Sequence, residues 1–362
     1  MELPRVKTPH TPARTASGNI RLGGWIYTIA SETADPQGWI WAMLELLDGT
    51  RTIPEIVAKM SERFPEFTRE ELRDGLEQLM STGYLEDAAK PPPAELTASE
   101  LDRYSRSAAL YEWMDLRPGS TRWDPQVALR RANVVLVGVG GTGGSAALAL
   151  VASGVGRLHC VEPDVVEVSN LNRQILYGER DVGRPKVEAA VEHLRDLNSG
   201  VEVTGERAEI RGPEDFARVC AGRNLLVLAG DRPAEIRSWA NAACLMSGVP
   251  WVHAVYYGPQ VTIGTFRPGT GPCYECVRVT DEQRQERTAY LPAHGPQTHA
   301  ANAVSAMMSG TMLAHAAMSL ITGAPRLPGN AISALNLAAP DHAFTVTADG
   351  PRTDCLACAG AG

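Results

Sequence analysis

Apolar residues recur at helical spacing in three successive stretches of the first quarter of the chain. PQGWIWAMLELLDG carries them from Trp39 to Leu47 and stops at Gly49. TIPEIVAKMSERF is a second amphipathic stretch, with Thr52 placed as an N-cap and Pro54 in the first turn. TREELRDGLEQLMSTG is a third, where Thr68 precedes Glu71 by three residues, the spacing of a capping box. Before them, NIRLGGWIYTIAS reads as two short strands around a Gly-Gly turn. After them, YLED reads as a returning strand. Residues 18–86 are thus predicted to be a small α+β module. Residues 1–17 are polar and rich in Thr, Pro and Arg, and are expected to be disordered. The proline-rich residues 87–100 are expected to be a linker.

From Leu101 the pattern changes. LDRYSRSAALYEWM predicts a helix, and then strand 134–139, helix 143–152, strand 157–162 and helix 185–197 alternate as a βαβα unit does. VEVTGERAEI, NLLVLAGD and PWVHAVYYGPQVTIGTF supply further strands, the last long enough to bend or form a hairpin. Helix 302–322 is apolar nearly all round, so burial against the sheet or in a dimer interface is expected. The fold class read from this order is α/β, Rossmann-like with a parallel or mixed sheet over residues 101–362. It is preceded by a winged-helix-like α+β domain.

Composition narrows the function more than the fold. Hydrophobic residues are 44% and charged residues 21%, ordinary for a globular protein. The net charge of −8 does not suit a nucleic-acid partner. The N-terminus lacks the apolar core of a signal peptide and no apolar run has the length of a membrane span. A cytoplasmic location and no membrane partner are therefore expected.

Candidate chemistry gathers between Val134 and Lys186. VVLVGVGGTGG is a strand running into a glycine-rich turn, with Gly138, Gly140, Gly141 and Gly143 at spacings that let backbone approach phosphate oxygens at a helix N-terminus. Alone, such a turn also fits any dinucleotide-binding fold. Glu162 closes the next apolar run, where an acid can hydrogen-bond a ribose. Asn170, Arg173, Gln174 and Lys186 follow, polar groups suited to a triphosphate, although Arg173 and Lys186 could equally be surface charges.

Together these strings, above all VSNLNRQ and VGRPKVEAA, resemble the adenylating enzymes of the E1/ThiF/MoeB superfamily. The resemblance implies an ATP-dependent adenylyltransferase that converts a C-terminal carboxylate into an acyl-adenylate. It carries over onto Glu162 (where the family usually has Asp), Asn170, Arg173, Gln174 and Lys186. It also implies a Mg²⁺ carboxylate at Asp231, where Gly230-Asp231-Arg232 stands in place of the family's Thr-Asp-Asn. A helix N-cap is the other reading of Asp231. Arg237 is a nearby candidate for a further phosphate contact. Arg103 and Arg106 resemble the family's R-Y-x-R-Q segment, with Ser107 in place of Gln. Arg106 would then be an arginine finger acting in trans in a homodimer, the alternative being a solvated helix face.

The chain has seven cysteines. Cys273/Cys276 and Cys355/Cys358 form two C-x-x-C pairs 82 residues apart. Two pairs complete a Cys₄ zinc site with no open position, hence structural, although a redox pair is the other reading of a C-x-x-C. Cys160, Cys220 and Cys244 lie in apolar or helical contexts and read as packed residues. Family members that form a thioester often carry a cysteine after the first pair. VRVTDEQRQERTAYLPAHGPQTHA has none, though its His294 and His299 could touch substrate.

The front module, through LLDGTRTIPEIVAKM and LEQLMSTGYLED, resembles the PqqD-like precursor-peptide recognition element of ribosomal peptide natural product pathways. That resemblance implies that a leader peptide adds as a strand to the small sheet. A winged helix serving DNA or dimer contacts is the alternative. The fusion of the two domains resembles the microcin C7-type and pantocin-pathway enzymes. It implies a precursor peptide as partner, its carboxylate activated and then captured by a nitrogen nucleophile. Two other functions fit the layout: a non-catalytic partner delivering precursors to a cyclodehydratase, and an activator of a sulfur-carrier protein.

Overall fold

Thr68 caps its helix as the spacing predicts. The Glu71 amide donates to Thr68 Oγ1 at 3.2 Å, and the Thr68 amide donates to Glu71 Oε2 at 2.7 Å. The computed structural model describes residues 1–287, 300–339 and 341–358. It falls into two units, Met1–Val127 and Ala128–Gly362.

In the first unit, strands β1 (Pro4–Val6), β2 (Ala13–Arg14), β3 (Ile20–Leu22) and β4 (Ser31–Thr33) precede helices α1 (Trp39–Leu46), α2 (Ile53–Arg63) and α3 (Arg69–Ser81). Strand β5 (Leu85–Asp87) and helices α4 (Ala98–Arg103) and α5 (Ser105–Met114) follow. β2, β3 and β4 form an antiparallel sheet. Ile20, Met43, Ile56, Met60, Leu72, Leu76 and Leu85 share one core. The three helices, the first strand and the returning strand expected between residues 18 and 86 are present, but the second strand expected in WIYTIAS is displaced: residues 25–30 are turn, and the strand begins at Ser31.

The ends of this unit differ from the expectation. Residues 1–17 are not disordered: β1 pairs antiparallel with β5, and Asp87 accepts the amides of Glu2 and Leu3. Lys7 is buried and donates Nζ to the Asp115 carbonyl at 2.7 Å. His10 bonds the Glu112 carbonyl at 3.0 Å and packs edge-on against Tyr84 and Trp113. These partners lie about a hundred residues away, so no local pattern announces them. The presumed linker contains the start of α4, capped by Thr97, and the unit closes at Val127 rather than before Leu101.

The second unit is a doubly wound sheet with an antiparallel extension. After α6 (Asp124–Arg131), which crosses the division, come β6 (Asn133–Val137), α7 (Gly141–Ala152), β7 (Arg157–Val161), α8 (Lys186–Leu197) and β8 (Glu202–Glu206). Then follow α9 (Pro213–Cys220), β9 (Leu225–Leu228), α10 (Ile236–Ser247), β10 (Trp251–Tyr257) and β11 (Gln260–Phe266). α11 (Tyr274–Arg287), α12 (Ala303–Thr322), β12 (Ala331–Asn336) and β13 (Ala343–Val346) complete it. The strand order is β13-β12-β11-β10-β9-β6-β7-β8, parallel from β10 to β8 and antiparallel beyond. The long run 250–266 therefore folds as a hairpin. α12 is long and apolar enough to cross a membrane, but half of it is buried here. It packs on α7, β10 and β11, with Thr142 Oγ1 bonded to Ser309 Oγ at 3.2 Å.

The strand order reverses between β6 and β9. Chain leaving β6, β7 and β9 diverges there and leaves a crevice at their carboxyl ends, where open α/β sheets bind ligands.

Candidate active site

The crevice is a cavity of about 1010 Å³ lined by residues of five strand ends. Gly138 leaves β6 with φ +89°, a left-handed conformation that favours glycine. At Gly143 a Cβ would stand 1.8 Å from the Gly138 carbonyl oxygen, so the turn closes only with glycine there. Gly138, Gly140, Gly141 and Thr142 line the cavity, while Gly143 is buried beneath them. The first turn of α7 therefore faces the cavity with its unpaired amides.

Glu162, just beyond β7, is buried, with Oε2 accepting from the Val139 amide at 2.8 Å and Oε1 from the Asp164 amide at 3.1 Å. These two bonds fix the carboxylate, which keeps acceptor capacity for ribose hydroxyls. Asn170 is buried and its Oδ1 accepts the Glu167 amide at 3.1 Å, so it shapes the loop as well as lining the cavity. Gln174 lines the same wall, and its buried Oε1 has no partner. An orphaned acceptor beside a phosphate-type turn fits a ligand hydroxyl or amine.

The cations are held by the protein itself. Lys186 opens α8, is 6% exposed, and pairs with Asp164 Oδ2 at 3.2 Å. Arg173 Nη1 donates to the Ser169 carbonyl at 2.9 Å and to Asn172 Oδ1 at 3.0 Å. Asp231 and Arg232 follow β9 and line the cavity. Tyr256, near the end of β10, lines the same cavity, and burial raises its hydroxyl above the usual phenol range. It therefore stands there as a neutral group.

Three arginines named from the sequence, Arg103, Arg106 and Arg237, are not among the residues that line the cavity. Arg237, on α10, does not line the cavity, and its charge opposes protonation of the buried His253. Arg103 and Arg106 belong to the first unit, at the end of α4 and the start of α5. His294 and His299 lie outside the described residues. Asp164 and Tyr256 were not singled out from the sequence. Asp164 could have been, standing two residues past Glu162 in the same loop. Tyr256 carried no signal, because strand alternation gives a face but not a partner.

The four paired cysteines converge. All four sulfurs lie within 4.8 Å of one another, with separations of 3.8, 3.7 and 3.6 Å for Cys273–Cys276, Cys273–Cys355 and Cys276–Cys358. Zinc–sulfur bonds of ~2.3 Å in a tetrahedron place the sulfurs ~3.8 Å apart, so the set fits a Cys₄ zinc ion. The Arg352 amide donates to Cys276 Sγ at 3.4 Å, a bond suited to a thiolate. The other thiols are not poised as nucleophiles. Cys160 is fully buried and its thiol is pushed up to about 12, chiefly by burial and then by Glu162. Cys220, at the end of α9, and Cys244, within α10, are buried in the same apolar cluster.

Comparison with known proteins agrees with this architecture. The ThiF family profile matches residues 104–357, and the chain belongs to that family. The adenylyltransferase and sulfurtransferase MOCS3 of Sus scrofa is 38% identical over 187 residues, 52% of this chain and 39% of that protein. The SAMP-activating enzyme E1 of Haloferax volcanii is 38% identical over 182 residues, 50% of this chain and 63% of its own length. The chain thus spans less than two thirds of either relative. Among solved structures, E. coli MccB with AMPCPP and MccA superposes with a TM-score of 0.72 at 21% identity, covering 99% of this chain and 100% of that one. That likeness covers both units and speaks to the fold.

Proposed function

We propose that this protein is an ATP-dependent adenylyltransferase of a ribosomal peptide natural product pathway. It binds a precursor peptide through its leader on the first unit and activates a carboxylate of that peptide. The observation that carries this reading is the convergence of Glu162, Arg173, Lys186 and Asp231 on one cavity behind the glycine turn. Glu162 and Gln174 suit the nucleoside, the first turn of α7 suits the phosphates, and the cations Arg173 and Lys186 suit the charge that grows on the α-phosphorus. Asp231 would hold Mg²⁺, which supplies further neutralisation of the triphosphate when bound.

In the proposed step a carboxylate oxygen of the peptide attacks the α-phosphorus. The bond to the bridging oxygen of the β-phosphate breaks, and pyrophosphate leaves with that electron pair. A nitrogen nucleophile then attacks the acyl carbon and expels AMP. No cysteine is needed as a relay, in keeping with the buried Cys160, Cys220 and Cys244. Zinc in the cysteine cluster is structural. A homodimer would let exposed Arg106 serve the partner's nucleotide in trans. The names of the curated relatives favour a second reading, activation of a sulfur-carrier protein.

ATP–pyrophosphate exchange tests these readings. With a candidate precursor peptide, exchange should depend on the peptide and fall by about 10²–10³ in Lys186→Ala, the loss typical of removing one transition-state charge contact. Exchange supported by a sulfur-carrier protein instead would replace the peptide reading. Leader binding without any exchange would make the protein a delivery partner.

A further inference from the structure

Lys186 is mounted where two loops are zipped together. The chain after β7 and the chain before α8 run antiparallel, with Val165 bridged to Pro185. The Val166 amide donates to the Arg184 carbonyl at 2.9 Å, the Gly183 amide to the Val166 carbonyl at 2.8 Å, and the Lys186 amide to the Asp164 carbonyl at 2.9 Å. Asp164 and Lys186 thus stand side by side on the cavity wall, and Lys186 Nζ donates to Asp164 Oδ2 at 3.2 Å. The lysine side chain is 7% exposed and the carboxylate 66%. Asp164 is itself fixed, because its amide donates to Glu162 Oε1 at 3.1 Å. A lysine stem is flexible and keeps its ammonium in one place only when something holds it. Among the described residues, Asp164 is the one carboxylate paired with this ammonium.

We infer that Asp164 is a positioning residue: its carboxylate holds the Lys186 ammonium at the cavity wall before nucleotide arrives. The inference rests on the reading that Lys186 serves ATP. An ammonium has three N–H donors, so one stays on Asp164 while two remain for phosphate oxygens. The cation then needs no ordering when charge grows on the phosphorus, which is the advantage of a preorganised site. Asp164 also brings a negative charge to a triphosphate site. Removing it should therefore favour ATP binding even as it frees the lysine. Binding and turnover move apart, which a loss of local structure would not produce.

The test uses the full chain as wild type, Asp164→Asn, Lys186→Ala and the double variant. The chain has four lysines, Lys7, Lys59, Lys90 and Lys186, so ¹⁵N-lysine labelling gives a simple spectrum of ammonium groups. A held, buried ammonium keeps its protons long enough to be seen, and the Lys186 signal is identified by its loss in Lys186→Ala. Calorimetric binding of ATP–Mg²⁺, pyrophosphate exchange at saturating ATP with a candidate precursor peptide, and Tm are measured alongside. Wild type should show a Lys186 signal that ATP shifts, and Asp164→Asn should lose it. The Tm of that variant should stay within about 2 °C, because the carboxylate is mostly exposed. Its ATP affinity should equal or exceed that of wild type while exchange falls about tenfold, the loss expected of one hydrogen bond to a charged group. In exchange the double variant should be no worse than Lys186→Ala, because the carboxylate acts through that lysine. No Lys186 signal in wild type, a signal that survives in Asp164→Asn, or exchange in that variant equal to wild type would overturn the inference. So would losses that multiply in the double variant, or Tm and ATP affinity that fall together. Wild type that binds ATP but shows no exchange sinks only the adenylation reading, since the ammonium signal still decides Asp164. Wild type that binds no ATP overturns both.

Discussion

His253 is the most exacting single residue outside the cavity. It is 2% exposed, and neither ring nitrogen has a partner. Trp251, Phe266 and Tyr274 surround it, and the nearby charge is that of Arg237. Burial, and then Arg237, hold its pKa well below 6.5 in the folded protein. The unfolded chain therefore takes up a proton near 6.5 that the folded chain refuses. Stability is fully present above that pH and is lost as pH falls below it. His10, His159 and His315 are shifted in the same direction, chiefly by burial. The urea midpoint should fall between pH 7.5 and pH 5, and His253→Phe should shrink that difference. An unchanged difference would show that His253 does not contribute. Local rules reached other residues well: Thr68 and Glu71 cap as spaced, because both partners lie within one turn. They misplaced Arg237, because helical spacing does not say which neighbour a flanking side chain will face.

At the scale of elements, the cysteine cluster ties the N-terminus of α11 to the segment after β13. Four thiols brought this close repay their ordering only with an ion between them, and structural zinc contributes roughly 10–16 kcal/mol in small domains. The protein as purified should contain one zinc per chain by elemental analysis. Cys273→Ser should abolish that content and lower Tm by about 10 °C or more, since each kcal/mol moves a domain of this size by ~2–4 °C. Zinc-free protein with an unchanged Tm would remove the ion from the account of stability. Element identity was largely legible from the sequence: α2, α3, α7, α8 and α12 lie within a few residues of their predicted bounds. The hairpin of β10 and β11 was one of two outcomes left open, because an apolar run reports burial but not reversal.

At the scale of the whole chain, the first unit is closed by its own N-terminus. β1 completes a ladder with β5, and Lys7 and His10 satisfy carbonyls at the end of α5. Removing residues 1–10 from the full chain should cost ~1 kcal/mol for each buried hydrogen bond lost. Amide exchange at Leu85–Asp87 should then speed up. Protection there equal to that of the intact chain would show that the arm is dispensable.

The sequence by itself determined the local and chemical part of this protein. The glycine turn, the helix caps, the α/β alternation, the cation-and-carboxylate string and the paired cysteines all depend on residue type at short spacing. The tertiary structure alone decided which of those groups meet. It set β1 against β5, left Arg237 out of the cavity, orphaned His253 among aromatic rings and brought the four paired cysteines together. Each of these is a contact between residues tens of positions apart or more. Such contacts are selected by the packing of the whole core, and no local periodicity encodes them.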